Sequence, residues 1–137
     1  MLNTTLIHHQ LVVVNDLERA RDFYGRVVGL TEIKRPDTGR KGLWFGCLSN
    51  ELHISLRADL TGYGPTEMPL NPGRRPGRMG RHVAFAMNGS LEEIAEHLDA
   101  EGISYEYGTA GLPQIFCEDP VGNFVEFNTG WDQEPVD

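Results

Sequence analysis

A shift of 73 residues lays this chain on itself: His9 meets His82, His53 meets Glu126, and Gly29-Leu30 meets Gly102-Ile103. Repetition at one constant offset forces a fold made of two like modules. The side chains related in this way, three imidazoles and a carboxylate, are also good metal donors. At 137 residues with 39% hydrophobic content, the chain is long enough for one core and short for two independent ones. The expectation is therefore a single domain over residues 1–137, with modules at about 4–57 and 81–130 and a loop at 58–80.

The formal charge of −8 opposes nucleic acid or an anionic membrane surface as a partner, since both require clustered excess Lys and Arg. No window approaches the ~18 apolar residues of a membrane span, and the N-terminus lacks the pattern of a secretory signal. The chain reads as soluble and cytoplasmic. Cys47 and Cys117 form no CxxC pair and no disulfide framework, so both are expected to be free, buried thiols.

Local patterning repeats the same order twice. Leu6 to Val14 is rich in β-branched residues and predicts a strand. Asn15-Asp16 supplies an N-cap, and Leu17, Ala20, Phe23, Tyr24, Val27 and Val28 recur at helical spacing as far as Gly29. Strands follow at Leu30–Arg35, Gly42–Cys47 and Glu51–Arg57. In the second half Arg81–Met87 predicts the first strand, and Ser90 with Glu93 forms a capping box for a helix through Leu91, Ile94, Ala95 and Leu98. Strands at Ile103–Tyr107, Gln114–Glu118 and Phe124–Asn128 complete it, the last two joined by a turn at Asp119–Asn123. The fold class is α+β, two tandem βαβββ modules.

Strand parity decides which side chains share a face. Leu52, Ile54 and Leu56 lie opposite Glu51, His53, Ser55 and Arg57, so His53 points away from the helix-packed side. Val125 and Phe127 lie opposite Glu126, and Val83, Phe85 and Met87 lie opposite His82, Ala84 and Ala86. In the first strand Leu11 and Val13 share the face of His9, yet the repeat equates His9 with His82. His9, His53, His82 and Glu126 are expected on one concave surface around one divalent ion. By parity His8 faces away from His9, and His97 lies beside a helix stripe. Trp44, Phe116 and Trp131 are aromatic residues that line either a pocket or the core.

The stretch from Ala58 to Gly80 is rich in Gly and Pro and predicts a long surface loop. Arg74, Arg75 and Arg78, bordered by Arg57 and Arg81, concentrate positive charge there and suit either an anionic group on a substrate or plain solvation.

The run Ile7-His8-His9-Gln10-Leu11-Val12-Val13-Val14-Asn15-Asp16-Leu17, continuing to Phe23-Tyr24 and Val27-Val28-Gly29-Leu30, resembles the first module of the vicinal oxygen chelate superfamily. Arg81-His82-Val83-Ala84-Phe85-Ala86 and Phe116 to Phe127 extend the likeness over nearly the whole chain outside the central loop. That superfamily includes glyoxalase I, extradiol dioxygenases, fosfomycin-resistance transferases, methylmalonyl-CoA epimerase and bleomycin-resistance proteins. The resemblance implies a curled, partly open mixed β-sheet with helices on its outer face, wrapped round one divalent metal and commonly found in a homodimer. It also implies His9, His82 and Glu126 as ligands, with His53 either a fourth ligand or a substrate-holding neighbour.

Imidazole nitrogen with carboxylate oxygen suits Zn, Ni, Fe(II), Mn or Co, and leaves coordination positions open for two vicinal oxygens of a small substrate. Glu126 is then the proton shuttle that the resemblance implies, with His53 as its catalytic companion; Arg57, Arg74, Arg75 and Phe116 are candidate substrate contacts. The favoured reading is a glyoxalase-like lyase or isomerase. The Asn-Trp-Gly that often follows the second ligand in glutathione-dependent glyoxalases is replaced by Ile54-Ser55-Leu56-Arg57. One alternative is a non-haem Fe(II) ring-cleaving dioxygenase using His9, His82 and Glu126. Another is a metal-free resistance protein that sequesters its ligand. Glu106, Gln114 and Phe116 stand where fosfomycin transferases keep Lys, Ser and Tyr.

Overall fold

The computed structural model describes residues 1–57, 81–131 and 135–136. The chain divides into two compact units, Met1–Tyr63 and Gly64–Asp137. The expected loop at 58–80, with Arg74, Arg75 and Arg78, lies outside the described residues.

The first unit runs β1 (His9–Val14), α1 (Leu17–Arg21), a π-helical segment (Asp22–Val27), β2 (Thr31–Ile33), β3 (Gly42–Cys47) and β4 (Asn50–Leu56). Its sheet has the order β1-β4-β3-β2, with β1 parallel to β4 and the other pairs antiparallel. Asp16 caps α1 by accepting the Arg19 backbone N–H at 3.0 Å. The run expected to be one α-helix changes to π-winding at Asp22. Val28 N–H then donates to Phe23 at 2.8 Å and Leu30 N–H to Tyr24 at 3.0 Å, across Gly29 at φ 88°. The helical stripe of Ala20, Phe23, Tyr24 and Val27 and one sheet face of Val12, Val14, Leu43, Phe45, Leu52 and Ile54 form the buried core.

The second unit repeats the plan with β5 (His82–Ala86), α2 (Leu91–Ala100), β6 (Tyr105–Tyr107), β7 (Gln114–Glu118) and β8 (Phe124–Asn128), in sheet order β5-β8-β7-β6. The Ser90–Glu93 capping box forms in both directions, with hydrogen bonds of 3.2 and 2.8 Å. Ile94, Ala95 and Leu98 are buried, as are Phe85, Ile115, Cys117, Val125 and Phe127 on the apolar face of the sheet. The β7–β8 turn is organised by buried Asp119, whose Oδ1 accepts the backbone N–H groups of Val121 and Asn123 at 3.0 and 2.8 Å.

Four strands are shorter than their patterns predict, because a strand lasts only as long as its partner. Arg81–Met87 loses one residue at each end and becomes His82–Ala86, which pairs with Phe124–Asn128. Leu6–Val14 is reduced to His9–Val14, since β4 begins at Asn50 and His9 already pairs with Glu51. Leu30–Arg35 is reduced to Thr31–Ile33; the Arg35 guanidinium donates instead to the Arg40 carbonyl and Thr38 Oγ1, each at 2.8 Å. Ile103–Tyr107 is reduced to Tyr105–Tyr107, the length that pairs with β7. Cys117 is buried as expected, but Cys47 is exposed, because it closes β3 against Asn50 at the tip of a two-residue hairpin.

Candidate functional site

Register now specifies what shares each open face, because paired residues on neighbouring strands project to the same side of a sheet. In the first unit Leu11, His53, Trp44 and Ile33 form one transverse row, with His9, Glu51 and Gly46 in the next. His53 is sandwiched within this face. Its ring stacks on Trp44 at 3.9 Å and 4° between planes, and on His9 at 4.1 Å and 14°. Glu51 Oε2 lies 2.7 Å from His53 Nε2 and accepts its N–H. That hydrogen bond holds the Glu51 carboxyl below its ordinary pKa.

The His9 ring has a partner of its own. His8 Nδ1 and His9 Nδ1 are 3.0 Å apart, so one donates and the other accepts, and the two rings meet edge to face at 5.3 Å. The expected opposition of His8 and His9 does not hold, because β1 begins at His9 and strand alternation does not reach back to His8. Nδ1 of His9 is thereby occupied and Nε2 is the nitrogen it can offer. A hydrogen-bonded far nitrogen is the usual arrangement of a metal-binding histidine.

In the second unit His82 pairs with Phe124 and Ala84 with Glu126, while Phe116 pairs with Glu126 from the other side. His82 and Glu126 therefore share the face opposite the α2-packed core, two positions apart along neighbouring strands. Glu126 is only 3% exposed. Both of its oxygens accept amide N–H groups, Oε1 from Gln114 and Oε2 from Asn128 at 3.1 Å. Asn128 Oδ1 accepts the Gly130 N–H at 3.0 Å, which turns its amide nitrogen toward Glu126. Phe116 is buried and meets the His82 ring edge at 5.7 Å. It also borders a cavity of about 490 Å3 lined by Ile103, Tyr105, Glu106, Glu118 and Phe124.

The expected ligands thus stand as two pairs, His9 with His53 and His82 with Glu126, each within its own unit. Among the described residues no group of three or more His, Cys, Asp or Glu side chains is assembled to hold a metal ion. The donor chemistry of each pair fits a borderline divalent ion, whereas the ring geometry of the first pair constrains it. A ring nitrogen binds metal in its own plane at about 2 Å, and two stacked planes tilted by 14° do not meet that close to either ring. One ion can take His9 or His53 in this arrangement, and both only if a ring leaves the stack. Of the expected substrate contacts, Phe116 lies on the Glu126 face, and Arg57 is exposed just past the end of β4.

Sequence reasoning missed Glu51, His8, Gln114 and Asn128 as neighbours of the candidate ligands. The period-two pattern puts Glu51 on the His53 face, but not its hydrogen bond to the ring. The two amides were visible only as polar positions on the Glu126 side of their strands.

Residues 6–127 match the family model of the Glyoxalase/Bleomycin resistance protein/Dioxygenase superfamily. The chain is 25% identical over 131 residues to Glyoxylase I 4 of Arabidopsis thaliana, covering 91% of this chain and 71% of that protein. A structure assigned to the glyoxalase family from Bacillus anthracis is 29% identical, with a TM-score of 0.67 and coverage of 93% and 97%. The fold is shared with FosX, a fosfomycin resistance protein from Listeria monocytogenes, at a TM-score of 0.69, 18% identity and coverage of 95% and 94%. It is shared as well with lactoylglutathione lyase from Agrobacterium tumefaciens, at 0.62, 23% and coverage of 91% and 93%.

Proposed function

The chain belongs to the glyoxalase, bleomycin resistance protein and dioxygenase superfamily, and from that premise we propose that it is a divalent-metal-dependent enzyme moving a proton beside a carbonyl of a small molecule with vicinal oxygens. His9, His82 and Glu126 would hold the ion, and His53 would join them only if its ring left the stack. The observation that carries this reading is the buried, amide-held carboxylate of Glu126 on the same open face as His82. The ion, one of Zn, Ni, Fe(II), Mn or Co, supplies Lewis-acid stabilisation of negative charge on two adjacent substrate oxygens.

The remaining work falls to the chain. Gln114 and Asn128 fix the direction of the Glu126 oxygens, so the carboxylate meets the substrate already oriented. Glu126, once loosened from the ion, would take the proton from the carbon beside the carbonyl and return it to the neighbouring carbon, an isomerisation in which nothing leaves. In a lyase reaction the electron pair left by that proton would instead expel a leaving group from the next carbon, and Glu126 would give the proton to that group. Phe116 covers one flank with an apolar surface, and Arg57, Arg74 and Arg75 meet an anionic part of the substrate. The protein acts in the cytoplasm as a homodimer, and its net charge of −8 opposes nucleic acid or an anionic membrane surface as a partner. Among the described residues no helix is long and apolar enough to cross a membrane.

A second reading rests on the stacked His53. A ring left off the ion and hydrogen-bonded to Glu51 suits acid-base duty beside a three-ligand iron site, as in a ring-cleaving dioxygenase. Elemental analysis of the purified protein and of His82→Ala tests the assignment. Stoichiometric metal in the parent is expected, with an affinity loss in the variant above the roughly 10–100-fold typical of losing a ligand's hydrogen-bond partner and turnover lost with it. Metal retained at full stoichiometry by His82→Ala refutes the proposal. Oxygen uptake with catechols moves the assignment to the dioxygenase, and turnover of 2-oxoaldehyde hemithioacetals to the lyase.

A further inference from the structure

We infer that Trp44 and Glu51 are positioning residues that hold His53 off the metal, so that the first unit supplies one ligand, His9, and a fixed imidazole beside it. The inference rests on the metal-centre reading above and decides what that reading leaves open, the role of His53.

Three restraints act on this one ring. Trp44 covers one face, nearly coplanar at 4° and 3.9 Å, and His9 covers the other at 4.1 Å. Glu51 accepts from the ring edge at 2.7 Å, so rotation within the stack costs a charge-assisted hydrogen bond. The side chains of His53 and Glu51 are 12% and 26% exposed, and water compensates the loss of that bond poorly. Register maintains the clamp, since Trp44 is the cross-strand partner of His53 and Glu51 projects from the same face of the same strand. With Nε2 committed to Glu51, the ring presents Nδ1 in a plane that does not converge with that of His9. A bound ion would therefore have no protein donor from His53, which stands in stacking contact with His9.

Cobalt(II) titration of the full-length protein, read by visible absorption and dissociation constant, tests the clamp. His53→Ala is expected to keep the parent spectrum and an affinity within about twofold, below the ~10–100-fold cost of disturbing even a ligand's hydrogen-bond partner. The Trp44→Ala/Glu51→Ala double variant frees the ring. It is expected to bind on the order of tenfold tighter with an altered spectrum, and adding His53→Ala is expected to abolish that gain. Glu51→Gln, which keeps an acceptor oxygen, is expected to behave as the parent. A spectral change or a loss of tenfold or more in His53→Ala makes His53 a ligand and overturns the inference. So does a double variant indistinguishable from the parent. Undiminished cobalt binding in His82→Ala overturns the metal-centre reading as well, so failure of the clamp alone is recognised by His82→Ala losing the ion while His53→Ala also loses it.

Discussion

Cys47 and Cys117 carry the same thiol in opposite surroundings. Cys117 is buried in β7, and burial, reinforced by Asp119 and Glu118, pushes its pKa from an ordinary 9 up to about 12. Cys47 stands exposed at the hairpin tip. At pH 8 a disulfide reagent is expected to titrate one thiol in the folded protein and the second only on unfolding, because the thiolate is the reactive form. Two fast-reacting thiols would contradict the burial of Cys117. A thiol whose folded pKa is raised binds its proton more tightly folded than unfolded, so its contribution to stability is complete below about pH 9 and is lost as pH climbs toward 12. Urea unfolding at pH 8 and pH 10.5 is expected to show that loss in the parent and less of it in Cys117→Ala. At this scale the candidate ligands were legible as residue types at a constant offset; parity gave the faces of His53, His82 and Glu126, and the repeat alone that of His9. Their partners were not. That Glu51 binds His53 rather than solvent, or that Gln114 and Asn128 close on Glu126, depends on rotamers and cross-strand register that a single strand's pattern does not contain.

Among the elements, Gln114–Glu118 and Phe124–Asn128 lie where their alternation put them, and the Ser90–Glu93 capping box starts α2 where its motif predicts. These signals are local, and the physics that reads them is local too. Strand ends are different, because Leu6 and Ile7 have the composition of a strand and, among the described residues, no strand to pair with. The change from α to π winding after Arg21 was likewise hidden, since the apolar spacing of Phe23, Tyr24, Val27 and Val28 serves either form. Gly42 is another position whose meaning only packing reveals. Its backbone is not left-handed, yet an added Cβ would collide with the backbone carbonyl of Ile54 and press on the Arg35 guanidinium at 3.2 Å. Gly42→Ala is expected to cost about 1–3 kcal/mol, the usual penalty of overpacking, by denaturant titration. Unaltered stability would mean that the β3–β4 ladder shifts freely at that point.

The molecule as a whole repeats one plan twice, down to the strand order and the parallel closing pair of each sheet. Each unit has its own buried residues, from Val12 to Ile54 in the first and from Phe85 to Phe127 in the second. Each is also small. A chain of roughly 60–70 residues buries only about 60% of the surface it exposes when unfolded, and a single core of that size supplies no more than ~3–5 kcal/mol. Neither unit has a disulfide to offset the shortfall, as both cysteines are free. Size therefore favours mutual dependence of the units, and the single domain expected from chain length becomes a measurable property. Thermal unfolding of the full chain followed by far-UV circular dichroism and by tryptophan fluorescence, with Trp44 in the first unit and Trp131 in the second, is expected to give coincident curves. The separate fragments 1–63 and 64–137 are expected to melt broadly and at lower temperature. Two resolved transitions, or a fragment that melts sharply where the intact protein does, would make the chain a pair of autonomous domains whose duplication was retained for a reason other than stability.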